Sequence, residues 1–189
     1  DIKGEAFMKK ITVGYAFCGS FCTHGASLSA LKVLAAENVI TPILSEITRD
    51  TDTRFGRADT LREAITCICG SEPILSIRRA EEIITVGNYD ALIVAPCTGN
   101  TLAKIAHGIT DSTVTMCVKA QLRCRRPVII GIATNDGLGA NLKSIALTLE
   151  KKNIYFVPFR QDDPAGKPTS MIADFTRIPE AAEAAMLGK

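Results

Sequence analysis

The stretch Ala91-Leu92-Ile93-Val94-Ala95-Pro96-Cys97-Thr98-Gly99-Asn100-Thr101-Leu102 decides the fold. Its first five residues are apolar without alternation, the pattern of a strand covered on both faces. Pro96 is expected to end that strand and Gly99 to permit a tight turn. Thr98, Asn100 and Thr101 then place short hydrogen-bonding side chains at a helix start. One such residue suffices to cap a helix. Three of them beyond a buried strand favour a loop that binds something.

Outward from this segment the same alternation recurs. Ile11–Phe17 reads as a first strand, followed by a helix with Leu28, Leu31 and Leu34 on one face. Val39–Leu44 is a strand that Pro42 either weakens or places near an edge, and Ser45–Arg54 is a polar loop. A helix carrying Leu61, Ile65 and Ile68 ends at Gly70. Ile74–Ile77 reads as a further strand, followed by a short helix ending near Gly87. Beyond the opening segment, helices are expected over 101–107 and 112–124, and a buried strand over Val128–Ala133. Leu142, Ile145, Ala146 and Leu149 stand at the spacing of an amphipathic helix. A last strand covers Ile154–Val157, and a terminal helix runs over Pro179–Leu187 with proline in its first turn. Pro158–Ser170 is left as a long irregular stretch. Buried strands separated by helices predict an α/β, doubly wound, mostly parallel sheet with helices on both faces. Residues 1–9 read as a leader or tag, and 10–189 as a single domain.

The totals limit the function classes. At 189 residues, 47% apolar and 22% charged, the chain suits one hydrophobic core. A net charge of +2 with 5% aromatic residues gives no nucleic-acid footprint. No apolar run reaches the roughly 18–20 residues that span a bilayer, and Asp1–Lys10 has no secretory pattern. The seven cysteines are irregularly spaced and read as reduced thiols of a cytoplasmic protein. Cys18, Cys22 and His24 fall short of a closed metal site, so no metal is expected. Cys97 has no clear activating base, because His107 lies two helical turns away.

In doubly wound sheets, ligands bind beyond the carboxyl ends of the strands, where strand order reverses. After the first strand, Gly19 and Ser20 run into a helix whose free amides suit a phosphate or carboxylate. An equal reading makes Ser20 or Thr23 a helix cap. Ser45 alone reads as a turn serine. Thr134-Asn135-Asp136-Gly137 is either an ordinary turn or a loop pointing Asn135 into the same crevice.

The order Gly19-Ser20, Ser45, Pro96-x-Thr98-x-Asn100-Thr101, Asn135 resembles the flavoprotein superfamily of flavin-dependent cysteine decarboxylases and flavin prenyltransferases, with its Rossmann-like or flavodoxin-like fold. Within it, the chain looks most like the family of dipicolinate synthase B subunits from spore-forming bacteria. The resemblance spans Lys10 to Lys189. It is carried by Gly19-Ser20-x-Cys22-Thr23, Thr53-Arg54-Phe55-Gly56, Thr98-Gly99-Asn100 and Ile132-Ala133-Thr134-Asn135-Asp136. The most specific block is Lys152-Asn153-Ile154-Tyr155-Phe156-Val157-Pro158-Phe159 with Gln161-Asp162-Asp163-Pro164.

The resemblance implies oxidation of dihydrodipicolinate to dipicolinate together with the A subunit of dipicolinate synthase, which carries NAD(P). It admits FMN as a cofactor, held by the positions matching Gly19, Ser20, Ser45, Thr98, Asn100 and Thr101, with Asn135 facing the substrate. It also implies a homo-oligomer in the mother-cell cytoplasm. A flat dicarboxylate needs cationic partners, and Arg54 and Arg160 are the candidates, against their reading as solvated loop arginines. Some family features are missing. No histidine lies in Ile77–Tyr89, where the decarboxylases place one. Ile132-Ala133-Thr134-Asn135 keeps only the asparagine of Pro-x-Met-Asn, and no cysteine follows Cys124. Ala133 stands near the place of the prenyltransferase arginine. Two rivals follow: a stand-alone FMN decarboxylase or prenyltransferase type, and a non-catalytic chain that stabilises its partner.

Overall fold

A computed structural model describes residues 10–86 and 89–189. The leader at 1–9 and the helix end near Gly87 lie outside the described residues. Five parallel strands form where long apolar runs require them: β1 (Thr12–Phe17), β2 (Val39–Leu44), β3 (Ala91–Cys97), β4 (Val128–Thr134) and β5 (Ile154–Phe156). Their spatial order is β2-β1-β3-β4-β5, the flavodoxin-like order of a doubly wound sheet. All seven β3 residues are buried. Complete burial of Leu92, Ile93 and Val94 contributes about 1.5–3 kcal/mol each, which makes this strand the centre of the core.

The helices among the described residues are α1 (His24–Glu37), α2 (Glu46–Asp50), α3 (Ala58–Cys69), α4 (Ile77–Val86), α5 (Gly99–His107), α6 (Thr113–Arg123), α7 (Leu142–Leu149) and α8 (Ile178–Met186). α1 packs with α3 and α8, and α6 packs with α4 and α5. No helix among the described residues is long and apolar enough to cross a membrane.

Several expectations change. Ile74 forms only one parallel bridge, to Ile43, and Ile77 already begins α4, so Ile74–Ile77 is no strand. Pro96 does not end β3. The strand runs through it to Cys97 with a shift of register after Val94, because proline offers the ladder no N–H. The polar loop after β2 contains α2.

The irregular stretch 158–170 is mostly a hairpin, β6 (Phe159–Asp163) and β7 (Lys167–Ala173). β7 pairs antiparallel with Ala133 and Thr134, so the hairpin extends from the far end of β4. Helix α7 exists as expected, but Leu142 and Leu149 are 50% and 57% exposed. Its buried face is Ser144, Ile145 and Thr148. Burying Thr148 is tolerable because its hydroxyl donates to the Ser144 carbonyl one turn back.

Candidate functional site

The order β2-β1-β3 means that the chain leaves β1 to one side and returns through β3 on the other. The loops after β1 and β3 therefore part and leave a gap at the carboxyl edge of the sheet. The Cys18 amide donates to the Pro96 carbonyl at 3.1 Å, which ties the bases of the two loops together. Above this seam lies a crevice of about 650 Å³, a size suited to a small ligand. Gly19, Ser20, Thr98, Gly99, Asn100 and Asn135 all line it. A second recess of about 450 Å³ is lined by Ser45, Glu46, Thr101, Lys104 and Asp111, and shares Gly19, Thr98 and Asn100 with the first. Those three residues form the junction of one elongated, two-part site.

The side chains at the junction divide by what they already hold. Thr98 caps α5: its hydroxyl accepts from the Thr101 amide at 3.3 Å and donates to the Thr101 hydroxyl at 3.1 Å. Ser45 likewise caps α2 and pairs with the Thr48 hydroxyl at 2.9 Å, as a turn serine does. Neither Ser20 nor Thr23 caps a helix. Thr23 instead donates to the Ser20 carbonyl at 2.8 Å. Among the described residues, the Ser20 hydroxyl and the exposed Asn100 amide have no protein partner. These two groups, with the exposed Asn135 side-chain amide, are donors left for a ligand.

Both glycines of the junction loops also permit close packing. At Gly99 a Cβ would overlap the Asn141 amide and stand 2.6 Å from Thr134 Oγ1. Gly99 therefore lets the turn after β4 press against the start of α5. It is buried inside the helix start and has no left-handed backbone. At Gly19 a Cβ would meet Ile47 Cγ2 at 2.9 Å, so this glycine makes room for α2.

The turn after β4 is held by Asp136. Its Oδ1 accepts from Thr134 Oγ1 at 2.8 Å and from Asn141 Nδ2 at 2.5 Å. These bonds, Asn141 first, hold the Asp136 carboxyl below its usual range. The Asn135 carbonyl accepts from Thr169 Oγ1 at 2.7 Å, so the hairpin fixes the same turn from outside. Asn135 thus faces the crevice on a pinned backbone.

Arg54 and Arg160 do not line the crevice. The Arg54 guanidinium lies 4.9 Å from the centre of the Phe55 ring, and Phe55 itself forms a wall of the crevice. Arg160 is exposed on β6, opposite Ile172. A contact that sequence reasoning misses joins Glu46 to the start of α6. Glu46 Oε1 accepts from the Thr113 amide at 2.8 Å and its hydroxyl at 2.6 Å. The two residues are 67 positions apart, and no local pattern marks such a pair. Phe21, Cys22 and Phe55 are further walls; Cys22 and Phe55 stand in the resemblance motifs, but nothing in the sequence marks them as lining a site. They separate the crevice from an apolar cavity of about 400 Å³ that contains His24, Leu28 and Leu61.

The buried thiols are not activated. Burial pushes Cys18 up to about 11 and Cys117 to about 12, and pushes Cys97 well above its ordinary value. Such groups are poor nucleophiles at neutral pH. Among the described residues, no group of three or more His, Cys, Asp or Glu side chains is placed to hold a metal ion.

The flavoprotein family pattern matches residues 23–157, the span that builds α1 through β5 and most of the crevice. The chain belongs to the flavoprotein family. It is 38% identical over 181 residues to the B subunit of dipicolinate synthase from Bacillus subtilis (strain 168), covering 95% of this chain and 90% of that one. The crystal structure of the B subunit of dipicolinate synthase from Bacillus halodurans superposes with a TM-score of 0.85 at 39% identity, covering 95% of this chain and 92% of the other. An FMN-dependent cysteine decarboxylase, SpaF, shares the fold with a TM-score of 0.66 at 21% identity, covering 93% and 97%. In this flavoprotein the expected α/β, mostly parallel architecture therefore holds.

Proposed function

We propose that this flavoprotein is the B-type component of a dipicolinate synthase. With a nicotinamide-binding A-type partner it oxidises dihydrodipicolinate, a small dicarboxylate, to dipicolinate in the mother-cell cytoplasm of a sporulating bacterium, as a homo-oligomer. The observation that carries this reading is the 38% identity over 95% of the chain to a protein of that name. The gathering of Gly19, Thr98 and Asn135 on one crevice supports it, since a ligand-binding component needs such an edge.

FMN fits the residues present. The first turn of α5 offers unpaired amides and a partial positive charge beside the free Ser20 hydroxyl and Asn100 amide, which suits an anionic end group. When bound, FMN supplies a flat redox-active ring. Asp136 keeps the Asn135 backbone fixed, Thr98 orders the loop after β3, and Phe21 and Phe55 offer apolar walls for a ring.

The test is reconstitution with the A-type partner, following dihydrodipicolinate oxidation and nicotinamide reduction together. Activity that requires both chains is expected. Full activity of the partner alone would overturn the reading. Asn135→Ala and Thr98→Ala variants separate a catalytic from a purely stabilising role, because only the former loses reconstituted activity.

A further inference from the structure

His24 opens α1 beneath the crevice, and its ring is 8% exposed. Its Nε2 lies 2.8 Å from the Cys18 carbonyl. A carbonyl only accepts, so Nε2 carries the hydrogen and Nδ1 keeps its lone pair. The Phe17 and Phe21 rings meet the imidazole edge-on at 5.9 and 5.4 Å and hold its plane. Among the described residues Nδ1 has no hydrogen-bond partner, and the ring forms part of the wall of the 400 Å³ cavity. A fixed, neutral imidazole with a free lone pair, set in the wall of a mainly apolar cavity, is the arrangement of a proton acceptor.

We propose that His24 is the general base of the oxidation, with the cavity behind Phe21 and Phe55 receiving the substrate ring. This rests on the function proposed above and assigns the base within it. The dihydro ring must lose two hydrogens from adjacent atoms. One C–H bond breaks with its electron pair, and that hydride passes to the nicotinamide carried by the A-type partner. The neighbouring C–H bond breaks with its proton going to His24 Nδ1, and the electrons it leaves close the last ring double bond. The imidazolium then releases the proton to solvent. The products are the aromatic ring, the reduced nicotinamide and one proton, so the step balances.

Other groups do not serve. Asp136 and Glu46 are bound to Thr134, Asn141 and Thr113. His107, the second of two histidines, is exposed at the far end of α5. Burial lowers the His24 pKa, which keeps its imidazole in the base form at neutral pH. The titratable groups that line the cavity beside His24 are Cys22 and Arg57, and no carboxylate lines it. Arg57, 3.8 Å from Asp52, supplies the cation that a ring carboxylate requires.

The experiment compares wild type and His24→Gln, each reconstituted with the A-type partner. Glutamine can still donate to the Cys18 carbonyl but cannot take the proton. The expected result is a fall in kcat of about 100-fold or more with KM changed by less than about threefold. FMN affinity should be unchanged, the variant should stay folded at neutral pH, and the acid limb of the kcat profile should disappear. A variant with kcat within about threefold of wild type and its acid limb intact overturns the base and leaves the proposed function standing. Wild type that forms no product when reconstituted overturns both. Should the variant not fold, imidazole nitrogen NMR of the wild type decides. Pyridine-2,6-dicarboxylate should shift the His24 Nδ1 resonance, and an unmoved resonance overturns the proposal.

Discussion

The amide of Cys18 and the carbonyl of Pro96 are joined at 3.1 Å where β1 and β3 end. Everything that lines the crevice is built outward from this seam. Gly19 and Ser20 follow one side of it, and Thr98, Gly99 and Asn100 the other. The turn after β4 closes the arc with Asn135 and Asp136.

Gly99→Ala should destabilise the protein without touching a ligand. Its methyl would press on Thr134 Oγ1 and the Asn141 amide, both of which hold Asp136. A loss of about 1–3 kcal/mol is expected from overpacking of this kind, read from urea unfolding at equilibrium. An unchanged midpoint would show that the turn has room to yield.

Thr98→Ala and Asn100→Ala should separate structure from binding. Thr98 is a helix cap, so its loss costs about 1 kcal/mol. Asn100 is exposed and its side-chain amide has no partner among the described residues, so its loss should change stability by less than about 0.5 kcal/mol. FMN affinity should nevertheless fall about 5–10-fold in Asn100→Ala, the worth of one hydrogen bond. Flavin fluorescence titration beside thermal unfolding measures both.

Much of the fold is legible in the sequence because β3 and β4 are long unbroken apolar runs that only a two-sided burial explains. The hairpin Phe159–Ala173 is not, since four of the five β6 residues are exposed and show no alternation. Its pairing depends on the far end of β4. The face of α7 misleads because Leu142 and Leu149 suggest a buried stripe, whereas Ser144 and Thr148 pack inward with the Thr148 hydroxyl satisfied locally. In the site, the threonine and asparagine cluster after β3 points to a loop that lines the crevice. His24 reads from spacing only as part of an incomplete metal set. Its position on the β1–α1 connection, as one of two histidines, is the available signal for another role.

Thiol labelling at neutral pH should divide the cysteines by burial. Cys22, Cys67 and Cys124 are exposed and should react with iodoacetamide, while Cys18, Cys97 and Cys117 are buried and should stay unmodified until the protein unfolds. Intact-mass and peptide mass spectrometry give the count and the positions. Early modification of Cys97 would show that the loop after β3 opens.

Stability should fall on mild acidification. His24 is held neutral by burial, so below its ordinary value of about 6.5 the unfolded chain binds a proton that the folded chain refuses. The loss begins near that pH and continues down to the lowered folded value. Asp136 adds a second, lower window: its depressed carboxyl stabilises the fold above the ordinary carboxylate range, and that part is lost as pH falls through its folded value. Unfolding midpoints across pH should drop first near 6.5, and His24→Gln should remove that first drop alone.

The most direct test of the central claim is hydrogen–deuterium exchange of the whole protein with and without FMN. If one crevice at the β1–β3 switch point holds the ligand, amides at 19–22, 98–101 and 134–137 should gain protection together at the same FMN concentration. Protection confined to one of these segments, or appearing elsewhere while these exchange unchanged, would contradict it.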